Sequence, residues 1–176
     1  MRSTFQLNTA ADYWLEMVVP DCSEYFANNE SLRCALHAAI SLFHMSDWVF
    51  HTHEAAVKTS FTFIDRNGTA LPVYDPASFA TALEQQFSDF GLIRGIAHAA
   101  KHLKLNNVRP IPNAPSHAAN TAVHGPTFAP NVFAPGVFDT RRRVMLAGAN
   151  GSDVQFEKIV RAVYAMWTSL KSTHGW

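Results

Sequence analysis

Residues 30–54 contain neither glycine nor proline and are drawn mostly from good helix formers, and this run constrains the 176-residue chain more than any other feature. As one helix it would span about 37 Å, long enough to be the central element of a domain. Leu32, Leu36, Ala39, Phe43 and Phe50 cover one flank, Leu42, Met45 and Val49 another, and Trp48 falls inside the remaining stripe. A helix apolar on nearly all sides is expected to be buried. His37, His44 and His51 recur every seven residues, drift by only about 20° per step and so share one stripe with Arg33, Ser41 and Asp47. On a buried helix these imidazoles would line an interior or a cleft.

The flanking segments extend the helical theme. Asn8 or Thr9 can cap a helix carrying Tyr13, Trp14, Met17 and Val18, which Pro20 should break or kink, with Asp21 capping a further short piece through Tyr25 and Phe26. Residues 61–64 and 70–74 around Asn67-Gly68 read as a hairpin, with Pro72 confined to an edge. Asp75-Pro76 is a cap followed by proline at the first helical position, which predicts a helix to Gln86, and Ser88 or Asp89 starts another to about Leu105. Gly91 and Gly95 weaken that helix while admitting a close neighbour. Six of nine prolines fall within residues 110–136, a composition that predicts an irregular excursion. Residues 137–146 read as a strand, and Ser152 with Gln155 forms a capping-box pattern before a last helix that carries Val163, Met166 and Trp167. The expected fold is mainly α: one domain over residues 1–176, a bundle of about five helices with a short β-hairpin and the Pro-rich 110–136 arm.

Composition narrows the class. With 48% hydrophobic and 16% charged residues the chain is not built to be disordered, and its aromatic-rich helices predict a homo-oligomer, most simply a dimer. Two cysteines, Cys22 and Cys34, without a CxxC pattern fit neither a disulfide scaffold nor a cysteine zinc finger, and a cytoplasmic protein is expected. Cys34 reads as a core residue. Asp12 and Glu16 interrupt any signal-peptide core and no run of about 18 apolar residues occurs, so no membrane partner is expected. P-loop, GxGxxG and GxSxG motifs are absent from the sequence.

A second polar seam lies on the helix starting near Asp89, where Arg94, His98, Lys101 and His102 stack at three- and four-residue steps opposite Leu92, Ile96, Ala99 and Leu103. If this helix packs on the central one, the two seams can face each other. Three readings follow. In the first, the imidazoles pack and hydrogen-bond without doing chemistry, and the protein is a non-enzymatic dimeric interaction bundle. In the second, His98 and His102 join His44, His51 or Asp47 around a divalent metal such as zinc, although the chain lacks the HExxH and repeated ExxH patterns. In the third, Arg94 holds a phosphate while His98 or His102 moves a proton, with Arg33, His44 and Asp47 in support.

The stretch Ile93-Arg94-Gly95-Ile96-Ala97-His98-Ala99-Ala100-Lys101-His102-Leu103-Lys104-Leu105 resembles the arginine-to-histidine helix of the HEPN superfamily. That resemblance implies an all-α bundle acting on or binding RNA, as a dimer and without metal. The superfamily places four to six residues between Arg and His, whereas Arg94 to His98 encloses three and Arg94 to His102 seven. Charge agrees with an anionic partner. Lys+Arg and Asp+Glu balance at 14 each over the chain, yet between Phe90 and Gly151 the acid Asp139 faces Arg94, Lys101, Lys104, Arg109, Arg141, Arg142 and Arg143. Lys101, Lys104, Arg141, Arg142 and Arg143 are the candidate nucleic-acid contacts.

Overall fold

The computed structural model describes residues 6–101, 121–124, 143–147 and 153–176, and it is a mainly α bundle. Thr9 caps α1 (Ala10–Tyr13): its hydroxyl accepts the Asp12 N–H at 3.1 Å while the Asp12 carboxylate accepts the Thr9 N–H at 2.9 Å. Of the break or kink expected at Pro20, no break occurs: the chain stays helical through it. A π-helical turn (Trp14–Val18) passes directly into α2 (Val19–Ala27), with the Val19 N–H on the Trp14 carbonyl. Pro20 thereby falls in the first turn of α2, the part of a helix that best tolerates proline, and Asp21 lies inside the helix rather than capping one. The continuous apolar face buries Tyr13, Trp14, Val18, Cys22 and Tyr25.

The Gly- and Pro-free run becomes α3 (Leu32–Thr52), capped by Ser31, whose hydroxyl accepts the Cys34 N–H at 3.3 Å. A short helix not anticipated from the sequence, α4 (Glu54–Ser60), follows and buries Val57. The hairpin pairs β1 (Thr62–Ile64) with β2 (Ala70–Pro72) antiparallel. Asp65 closes its turn by accepting the N–H groups of Asn67 and Thr69, both at 2.8 Å, and Gly68 supplies the positive φ of 81°. α5 (Pro76–Gln86) starts from a capping box of Asp75 with Ser78, and α6 (Ser88–Lys101) begins after a single linking residue, Phe87.

A three-stranded antiparallel sheet, ordered β3 (Thr121–His124), β4 (Arg143–Ala147), β5 (Asp153–Gln155), precedes α7 (Phe156–His174). Its first strand corrects the reading of residues 110–136 as wholly irregular: Thr121-Ala122-Val123-His124 occupies a proline-free gap with two β-branched residues. β4 meets the expected strand at its C-terminal end, while β5 was not expected. Ser152 lies outside the described residues, and Gln155 stands at the α7 N-cap. Asn29 links the layers. Its carbonyl accepts the Val144 N–H at 3.3 Å and its side-chain amide donates to Glu157 at 2.8 Å.

α3 is the central helix, packed by α2, α5, α6 and α7. Leu42, Met45 and Val49 interlock with Phe79, Leu83, Phe90, Ile93, Ile96, Ile159 and Trp167, all buried. Each such side chain contributes roughly 1.5–3 kcal/mol by leaving water. The Trp167 indole N–H donates to the Leu42 carbonyl at 3.0 Å, so the largest core residue is also satisfied. Among the described residues no helix is long and apolar enough to cross a membrane.

Candidate functional site

The central helix is not buried all round, and this corrects the expectation for its histidines. His37, His44 and His51 are exposed; they form the solvent stripe of α3 rather than an interior lining. Ser41, assigned to the same stripe, turns inward and donates to the His37 and Ala38 carbonyls at 3.1 and 3.2 Å.

α3 and α6 pack directly on one another, and part of each seam meets there. The Phe43 ring lies 5.2 Å from the His44 imidazole on its own helix and 5.2 Å from the His98 imidazole on α6, centroid to centroid. His98, like His44, is exposed. Asp47, one turn beyond His44, places Oδ2 3.2 Å from His44 Nδ1. In the tautomer that carries its proton on Nδ1, that proton is donated to the carboxylate and Nε2 is left as an acceptor. His44, Asp47 and His98 are therefore brought to one surface with Phe43 between the rings. Phe43, expected on the apolar flank, has a half-buried ring that joins the two seams.

Arg94 is directed elsewhere. Its guanidinium Nη1 donates to Glu84 of α5 at 3.0 Å and lies 3.4 Å from the Thr81 hydroxyl, with the Arg94 and Glu84 side chains 20% and 19% exposed. The charge expected to hold a phosphate is thus matched by an internal carboxylate. Gly91 makes that approach feasible: a Cβ there would stand 3.0 Å from Glu84 Cγ, as the close-neighbour reading of this glycine anticipated. Arg33 pairs with Glu24 of α2 on the surface. His51 packs edge-on against Phe50 at 5.6 Å, away from the Phe43 cluster. Arg143 reaches Gln155 across the small sheet at 3.0 Å.

Lys101 is the last described residue of α6; His102, Lys104, Arg141 and Arg142 lie outside the described residues. Among the described residues no three His, Cys, Asp or Glu side chains gather as a metal site requires. Cys22 and Cys34 are buried free thiols, and burial followed by the nearby Asp21 charge pushes the Cys22 thiol up to about 12. A thiol held so far into the protonated form is not a nucleophile at neutral pH. No family model, curated protein or solved structure matches the chain.

Proposed function

We propose that the protein is an HEPN-like helical bundle that binds single-stranded RNA on the exposed α3–α6 seam. The observation that carries this reading is the Phe43 ring flanked by His44 and His98 from two different helices, both imidazoles open to solvent. An aromatic ring bordered by hydrogen-bonding imidazoles suits an unstacked base, since every base has a π-face and polar edges. The seam also leads at Lys101 into the basic half of the sequence, which supplies phosphate contacts of the kind affinity for RNA requires. In this reading Arg94 positions α6 against α5 and does not touch the RNA. His44, oriented by Asp47, and His98 are the two groups able to exchange protons with a bound phosphodiester.

Fluorescence anisotropy with a labelled single-stranded oligoribonucleotide tests the proposal. His44→Ala and His98→Ala sit on the surface and leave the core intact; together they should weaken binding at least about tenfold and uniformly across sequences. Absence of binding at 50 mM salt, or an affinity untouched by the double substitution, refutes it. Electrophoresis of the incubated RNA then reports whether binding is accompanied by cleavage. The interaction-bundle reading has one observation of its own, the exposure of Leu15 and Met17 at 62% and 39% on the N-terminal helices. Light scattering on wild-type protein and on Leu15→Ser separates it: a dimer that dissociates on that substitution favours self-association through this face.

A further inference from the structure

We propose that a second site, at the corner between α5, α6 and α7, binds a small organic cation composed of a protonated amine on an apolar body. α5 ends at Gln86 and α6 starts at Ser88, so the chain reverses through Phe87 alone, and α7 crosses beside the reversal. The corner leaves a cavity of about 460 Å³. That volume falls within the range of small-molecule sites. Phe87, Val163 and Met166 give it an apolar floor, and Ala162 and Ala165 wall it with side chains too short to fill it.

The polar lining is uneven in a way that selects a charge. Gln86, Ser88 and Ser169 are neutral, and Asp89 is the one ionisable residue that lines the cavity. Among the described residues the Asp89 carboxylate has no hydrogen-bond or ion-pair partner. Burial pushes its carboxyl upward from the ordinary carboxylate range, as removal from water without a partner must. Its place in the first turn of α6 opposes that, because the positive end of a helix favours the ionised form. The carboxylate is thus a charge held at the edge of an open, partly apolar pocket, and among the described residues no cation meets it. An ammonium group supplies that cation and three N–H donors: one for Asp89 and two for the Gln86 carbonyl and a serine hydroxyl. The same acid repels carboxylates and phosphates, so this site is separate in chemistry from the α3–α6 seam.

Phenethylammonium is a suitable probe, with 2-phenylethanol as the neutral shape control. Titration into isotopically labelled full-length protein should shift the amide resonances of Phe87, Asp89, Ala162, Ala165 and Ser169. The neutral alcohol should bind about tenfold more weakly or worse, and Asp89→Asn, which keeps the shape and removes the charge, should cost the amine a similar factor. Ala165→Trp, which fills the cavity from an exposed position of α7, should abolish the shifts while circular dichroism stays native. Equal binding of amine and alcohol, an unchanged affinity in Asp89→Asn, or shifts that persist in Ala165→Trp would each overturn the proposal. Absence of any shift at millimolar amine would do so too.

Discussion

The Arg94–Glu84 pair is where the structure departs most usefully from what the Arg94-to-His98 spacing suggests, and its energy can be stated in advance. Two unit charges about 4 Å apart attract by about 4 kcal/mol at the effective dielectric of a half-buried pair. Part of that gain is lost to desolvation, since each side chain is only about one-fifth exposed and the Arg94 Nε is buried without a partner. A net coupling of about 1.5–3 kcal/mol remains, in line with hydrogen bonds between charged groups. Removing one partner leaves the other's charge in place, so Arg94→Met or Glu84→Gln alone should destabilise by about 2–3 kcal/mol. For a domain of this size the thermal midpoint falls by about 4–12 °C. The double substitution should cost little more than either single one.

Urea denaturation of wild type, both single variants and the double variant closes the cycle. Because the pair is largely shielded, the coupling should survive an increase in salt that would erase a surface pair. A coupling below about 0.5 kcal/mol would refute the reasoning, because that is the value of a solvated pair. So would a loss of RNA affinity greater than about tenfold in a folded Arg94→Lys variant, which would return Arg94 to the phosphate.

Gly91→Ala tests the same contact from the other side: the gain of about 1 kcal/mol in helix propensity should be outweighed while Arg94 pins Glu84, and recovered in a Glu84→Ala background, as urea midpoints would show. Glu157 provides the pH dependence. Burial raises its carboxyl, but hydrogen bonds from Arg161 and Asn29 outweigh this and leave it below the ordinary value of 4.5. Its contribution is therefore complete above pH 4.5 and is lost as pH falls through the depressed folded value, so the urea midpoint should drop on acidification below 4.5, less steeply in Glu157→Gln. Cys22 and Cys34 should stay unreactive toward a thiol reagent at pH 8 in the native state and react fully in denaturant; rapid labelling of folded protein would contradict their burial.

The elements legible in the sequence are those whose signals are local. Thr9 before a periodic run, Asp75-Pro76 and the Asn67-Gly68 turn each carry their own stereochemistry, and α3 carries two apolar flanks over an uninterrupted length. The misread elements depend on neighbours. Pro20 reads as a break or kink by its own chemistry, but a π turn immediately upstream, with the Val19 N–H on the Trp14 carbonyl, leads the chain through it as helix. β3 and β5 are four and three residues long, and each is a strand because β4 lies between them, with Asn29 holding β4 to the α2–α3 turn. Nothing in Asp153-Val154-Gln155 alone distinguishes it from the helix that follows.

The candidate site shows the same limit at the scale of one helix face. Arg94 and His98 stand four residues apart, so periodicity puts them together, but α5 covers the side of that face toward Arg94 and α3 the side toward His98. The side chains are thereby divided between two neighbours, one to an internal carboxylate and one to a half-buried ring. On α3 the inference ran the other way. A seven-residue spacing of histidines suggested imidazoles gathered inside, whereas a chain with so few charged residues uses histidine where other proteins place lysine or glutamate, as the solvent stripe of an amphipathic helix. The cue that separates the two cases is the small core residue between them: Ala35, Ala38, Ala39 and Ser41 are buried around His37, which marks the faces other elements press upon and leaves the histidines on the remaining one. His44 and His98 each lie 5.2 Å from Phe43, whose ring stays half-buried at the α3–α6 contact. The ring and its two exposed imidazoles are a consequence of how the core closes around α3 and α6.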